Sequence, residues 1–142
     1  MKTLNSPSNI HHLAFLCRDA EQTRWFYEDV MGFKLVAALD FETANAQRNS
    51  ACALGVTLID NQQITESKYW LIKPVGHFDY MNTLIHGITY NDVRNEPTFK
   101  ELWPEINEYI NGRLLIAHNA AFDMSVLRKS LESCELEKPK FQ

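Results

Sequence analysis

The segment from Phe33 to Glu42 constrains this chain more than any other. An apolar run, Phe33 to Leu39, interrupted only by Lys34, opens a strand expected over Phe33 to Phe41 and leads into Asp40-Phe41-Glu42. Residues two apart on a strand point to the same face, so Asp40 and Glu42 converge. Two converging carboxylates repel each other unless a cation lies between them. Hard oxygen donors of this kind suit Mg2+ or Mn2+. Asp123, at the start of a second apolar segment, is a candidate third ligand. The pattern points to a divalent-metal site.

The elements around that strand follow from spacing. Ile10 to Cys17, with His11 and His12 inside it, reads as a short strand. Asp19 caps a helix over 20–31, with Thr23, Phe26, Tyr27 and Val30 at helical spacing, and Gly32 stops it. Strand, helix and strand in that order favour parallel strands joined by a right-handed crossover. Ala51 to Ile59 and Ile64 to Lys73 read as a hairpin around Asp60-Asn61-Gln62-Gln63. Residues 74–97, broken by Pro74, Gly76, Gly87 and Pro97, read as loop with short helical turns.

Thr98 caps a helix to Ile110, with Phe99, Leu102, Trp103, Ile106 and Tyr109 or Ile110 on one face. Pro104 inside it is expected to shift its start or kink it. Arg113 to Ala117 is a strand and Ala120 to Ser133 a closing helix. The fold class is α/β with a mixed sheet.

Composition adds milder bounds. The 142 residues, 45% of them hydrophobic, suit one domain with one core. A formal charge of −4 removes any broad basic field for nucleic acid, although bound cations can bridge an acidic site to phosphate. Cys17, Cys52 and Cys134 lack metal-binding or disulfide spacing and read as reduced, semi-buried residues. With no signal-like or membrane-spanning run, the expectation is a cytoplasmic chain without a membrane partner.

From about Val36 onward the chain resembles the DEDD superfamily of 3′–5′ exonucleases, of the DNA polymerase III proofreading type with a ribonuclease H-like fold. Asp40-Phe41-Glu42-Thr43 is similar to the first motif of that family. His86-Gly87-Ile88-Thr89 is similar to the segment lining the 3′-nucleotide pocket, and His118-Asn119-Ala120-Ala121-Phe122-Asp123 to the second motif. The resemblance implies Asp40, Glu42 and Asp123 as catalytic metal ligands for two Mg2+ or Mn2+ ions about 4 Å apart. It implies Thr43, His86, Ile88, Thr89, Asn119 and Phe122 as substrate contacts for a single-stranded 3′ end.

The family's third motif, a histidine or tyrosine followed by an aspartate, has no counterpart after Asp123. That stretch holds Glu132, Glu135 and Glu137 but no histidine or aspartate. The resemblance therefore implies a unit truncated at its C-terminal strand and helix, with weak or no turnover.

Residues 9–36 resemble a different family. Ile10-His11-His12-Leu13-Ala14-Phe15, Asp19, Thr23, Phe26-Tyr27 and Gly32-Phe33 are similar to the opening βα unit of the vicinal oxygen chelate (glyoxalase/dioxygenase) superfamily, with His12 at its metal-ligand position. The two resemblances meet inside one strand. This implies a single chimeric domain, 9–36 joined to 37–142, whose N-terminal βα unit replaces the missing sheet edge beside Arg113 to Ala117. Three readings stay open: a nuclease, a recombined fold without activity, and a chelate-type metalloenzyme. An exposed sheet edge also leaves open a homodimer.

Overall fold

A computed structural model describes residues 35–60 and 63–139. The strand and helix expected over 10–31, with His11, His12, Cys17, Asp19 and Trp25, lie outside the described residues, as does the proposed replacement of a sheet edge by that unit. Among the described residues are four strands: β1 (Leu35–Thr43), β2 (Ala51–Asp60), β3 (Gln63–Leu71) and β4 (Leu114–Ile116). The helices are α1 (Tyr80–His86), α2 (Tyr90–Val93), α3 (Phe99–Ile110) and α4 (Ala120–Cys134). The sheet order is β3-β2-β1-β4. β1 and β2 are antiparallel, as are β2 and β3, while β4 runs parallel to β1. The mixed α/β sheet is the one expected.

Period-two alternation explains the strands. Ala37, Leu39 and Phe41 of β1 and Leu54, Val56 and Leu58 of β2 face one side and are buried. α3 covers that side with Phe99, Trp103, Ile106 and Ile110, and α4 with Val126, Leu127 and Leu131. Trp70, the one buried residue of β3, meets Tyr109 edge-to-face, with centroids 5.3 Å apart. The rest of β3 is largely exposed, with Gln63, Thr65, Glu66, Ser67 and Lys68 among its residues, as befits an edge strand. A smaller cluster of Ala44, Cys52, Ala53, Ile88 and Val93 holds the segment after β3 against the sheet.

Several boundaries differ from expectation for local reasons. β1 runs two residues past Phe41, because pairing with β2 continues through Glu42↔Ala53 and, after a bulge, Thr43↔Ala51. β4 is only three residues long and pairs with Val36, Ala37 and Ala38. The stretch expected as loop with short helical turns carries a helix of seven residues, α1, that buries none of them.

Pro104 does not move the start of α3. The Thr98 hydroxyl accepts from the Glu101 amide, and the Glu101 carboxylate accepts from the Thr98 amide at 2.8 Å, a reciprocal cap that fixes the first turn. Thr98→Ala is expected to lower stability by about 1 kcal/mol in urea unfolding, and Thr98→Ser far less.

Candidate active site

The site begins where β4 ends. β4 pairs with β1 only as far as Ala38, so among the described residues the later part of β1 has no strand beside it on that edge. A buried amide there needs a partner. The Phe41 amide finds one in Asp123, donating to its Oδ1 at 2.9 Å across 82 residues of sequence. Asp123 reaches it from the first turn of α4, where Asn119 caps the helix. This bond seats a 1% exposed carboxylate against the strand that carries Asp40 and Glu42.

Asp40 and Glu42 lie on the face of β1 opposite the main core. Asp40 is exposed and Glu42 half-buried. Burial raises the Glu42 pKa above the usual carboxylate value; His86 opposes the shift and Asp40 adds to it. Asp123 is pushed up to about 6, again chiefly by burial. The Phe41 amide pulls it back, and the Asp40 and Glu42 charges push it further. Among the described residues no Lys or Arg pairs with any of the three. The result is a concentration of negative charge with no Lys or Arg counter-ion among the described residues, a donor chemistry that suits a hard divalent cation. Among the described residues no three His, Cys, Asp or Glu side chains close around one point as a finished metal cage. Asp123 has Oδ2 to offer, since Oδ1 serves Phe41.

α1 is stitched to the same strand end. Asn82 Nδ2 donates to the Thr43 carbonyl at 2.9 Å, and His86 bonds that carbonyl at 3.1 Å. The other ring nitrogen of His86, Nδ1, accepts from the Ile88 amide at 3.0 Å, so the neutral ring carries its proton on Nε2 and donates it to Thr43. Cys52 Sγ lies 3.9 Å from the same nitrogen; burial and the Glu42 charge push its pKa to about 12, leaving an inert thiol.

The loop after β1 is equally fixed. Asn45, 3% exposed, donates to the His77 carbonyl at 2.7 Å and accepts from the Gln47 amide at 2.9 Å. Gly76 stands beside it at φ +88, a left-handed conformation that suits glycine, with Asn45 Nδ2 3.5 Å from where a Cβ would sit.

Asp40, Glu42 and Asp123 are thus brought together. The residues expected to touch substrate divide. Thr43 and Ile88 are buried, and His86 spends both nitrogens on backbone. Thr89 is exposed but its hydroxyl donates to Asp92 at the start of α2. Asn119 is exposed at the cap of α4. Phe122 carries the Arg48 guanidinium 4.3 Å from its ring centroid, which covers one face. His118 is exposed, and His77 pairs with Asp79 at 2.9 Å in the loop before α1.

Sequence reasoning passed over Asn45, Arg48 and Asn82. Only the last had a local signal, its i,i+4 spacing to His86.

Residues 37–141 match the Exonuclease family (RNase T). The PolC-type DNA polymerase III of Thermotoga maritima is 30% identical over 133 residues, covering 89% of this chain and 10% of the polymerase. The 3′-5′ exonuclease DinG of Staphylococcus aureus is 26% identical over 109 residues, covering 75% of this chain and 12% of that protein. The chain thus spans about a tenth of the length of these relatives.

Product-bound exonuclease I shares the fold with a TM-score of 0.67 at 16% identity, over 74% of this chain and 27% of that one. Exonuclease X, in complex with 5′ overhanging duplex DNA, does so with a TM-score of 0.57 at 23% identity, over 64% of this chain and 52% of its own. With its ribonuclease H-like sheet and its acidic strand end, the chain belongs to the Exonuclease family and is of the DEDD 3′–5′ type.

Proposed function

We propose that this chain hydrolyses phosphodiester bonds one at a time from the 3′ end of a single-stranded nucleic acid, with divalent cations held by Asp40, Glu42 and Asp123. The observation that carries the reading is the Phe41–Asp123 hydrogen bond, which delivers a buried third carboxylate to the strand bearing the other two. When bound, Mg2+ or Mn2+ supplies the positive charge that a hydrolysed phosphodiester requires.

The chain's own residues do the rest. The Phe41 amide fixes one carboxylate oxygen of Asp123. The Asn82 and His86 bonds to Thr43 keep the end of β1, and so Glu42, in a fixed orientation.

The test is a 5′-labelled single-stranded oligonucleotide incubated with the full chain and Mn2+. A ladder shortening from the 3′ end is expected, abolished by EDTA and reduced roughly 10^3-fold or more by Asp40→Ala. Cleavage that Asp40→Ala leaves untouched would belong to a contaminating nuclease. No cleavage at any Mn2+ or Mg2+ concentration would favour a fold without activity.

A further inference from the structure

We propose that Tyr69 is the aromatic platform on which a substrate base stacks beside the carboxylates, an inference that rests on the nuclease reading above. Strand register places it there. Asp40 pairs with Gly55, and Gly55 pairs with Tyr69, so the three form one row across β1, β2 and β3. Directly opposed residues share a face, and Tyr69 therefore projects from the same side of the sheet as Asp40 and Glu42.

The residue between them has no side chain. The Tyr69 ring has Cδ2 3.9 Å from where a Gly55 Cβ would sit, and among the described residues no other side chain comes within 4 Å of that point, so the ring lies over Gly55. Two interstrand spacings, roughly 10 Å, separate the β1 and β3 backbones, the scale of a nucleoside reaching out from its phosphate. Tyr69 is 58% exposed and makes no hydrogen bond through its hydroxyl among the described residues. Burial of its ring edge, with Cys52 and Glu42 nearby, raises its pKa and keeps the phenol neutral at physiological pH.

Tyr80 and Leu84 of α1 do not compete for this role, because Asn82 and His86 turn one face of that helix toward β1 and these two project from the opposite one.

A flat ring beside a phosphodiester-binding acid cluster suits an unpaired base, because every base offers a π-face whatever its sequence. Stacking on Tyr69 would therefore favour single-stranded ends without reading their sequence.

The experiment uses the full chain and a single-stranded oligonucleotide carrying 2-aminopurine at its 3′ end, with Ca2+ as the cation so that binding is read without cleavage. Binding is expected to quench the fluorescence. Tyr69→Phe keeps the quench, while Tyr69→Ala loses it and weakens binding about ten-fold. Tyr69→Leu, which preserves bulk and fold, also loses the quench. Thermal unfolding of each variant checks that the fold is intact.

Undiminished quench and affinity in Tyr69→Leu and Tyr69→Ala would overturn the platform and leave the nuclease reading standing. Loss in Tyr69→Phe equal to that in Tyr69→Ala would assign the effect to the hydroxyl and overturn stacking. A parent chain that binds no oligonucleotide would overturn the nuclease reading, and this inference with it.

Discussion

Asp123→Asn is expected to make the protein more stable in EDTA at pH 7.5 while removing its response to divalent cations. The folded pKa of Asp123, about 6, lies above its ordinary value of 3.8. Between those values the folded chain binds more protons at this position than the unfolded chain. Stability from this group is therefore fully present below about pH 4 and is lost as pH rises through 6. The shift corresponds to on the order of 2 to 3 kcal/mol at neutral pH.

Asparagine keeps an oxygen to accept the Phe41 amide but carries no charge for Asp40 and Glu42 to repel. After allowing for the new amide hydrogens, a gain of about 1 to 2 kcal/mol should remain, or several degrees in Tm. The gap between parent and variant should narrow as pH falls from 6 to 4, because the parent protonates there. Glu101, Glu132 and Asp92 lie outside this cluster and cancel in the comparison, so the difference reports the loss of the Asp123 charge and of its repulsion with Asp40 and Glu42. Saturating Mn2+ should reverse the order, since ligand at a hundred times its Kd stabilises by about 2.7 kcal/mol and the variant lacks a ligand. A variant less stable than the parent in EDTA at pH 7.5 would show that the carboxylate is not strained by burial.

The second large effect is expected at Ile106, which has no exposed surface and lies on the α3 face that covers the sheet. Ile106→Ala should cost roughly 2 to 5 kcal/mol through lost burial and the cavity left behind, and Ile106→Val only about 0.5 to 1.5. Against a total of about 5 to 15 kcal/mol for a domain, the alanine variant approaches the unfolding threshold at ordinary temperature. Urea unfolding should show a lower midpoint with an unchanged slope. Because Val126 and Leu127 of α4 belong to the same cluster, the loss also loosens the helix that carries Asp123. A cost below 1 kcal/mol for Ile106→Ala would mean that α3 does not close the core as described.

Much of the architecture was legible because it is written at short range. The β2–β3 hairpin, the capping pair Thr98 and Glu101, and the face Phe99, Trp103, Ile106 and Ile110 each depend on residues within a few positions of one another. The α1 helix was harder to read because its pattern is inverted. Its apolar residues Tyr80, Met81, Leu84 and Ile85 are exposed, while polar Asn82 and His86 turn inward to the Thr43 carbonyl. A periodicity argument assigns the apolar face to the core, and here hydrogen bonding to a strand end wins instead. The covering of Phe122 by Arg48 likewise joins residues far apart in sequence.

The sequence by itself determined that Asp40 and Glu42 share a face, because strand alternation needs nothing beyond the strand. It also determined the caps and the hairpin, where the interacting atoms are bonded through only a few residues. Tertiary structure decided what the carboxylates are chemically. Only when α4 closes on the end of β1 beyond Ala38 does Asp123 lose its water and meet the Phe41 amide and the two β1 charges. Only strand register carries Tyr69 across Gly55 to the same side. Desolvation and Coulomb energy depend on distance through space, which no spacing along the chain records.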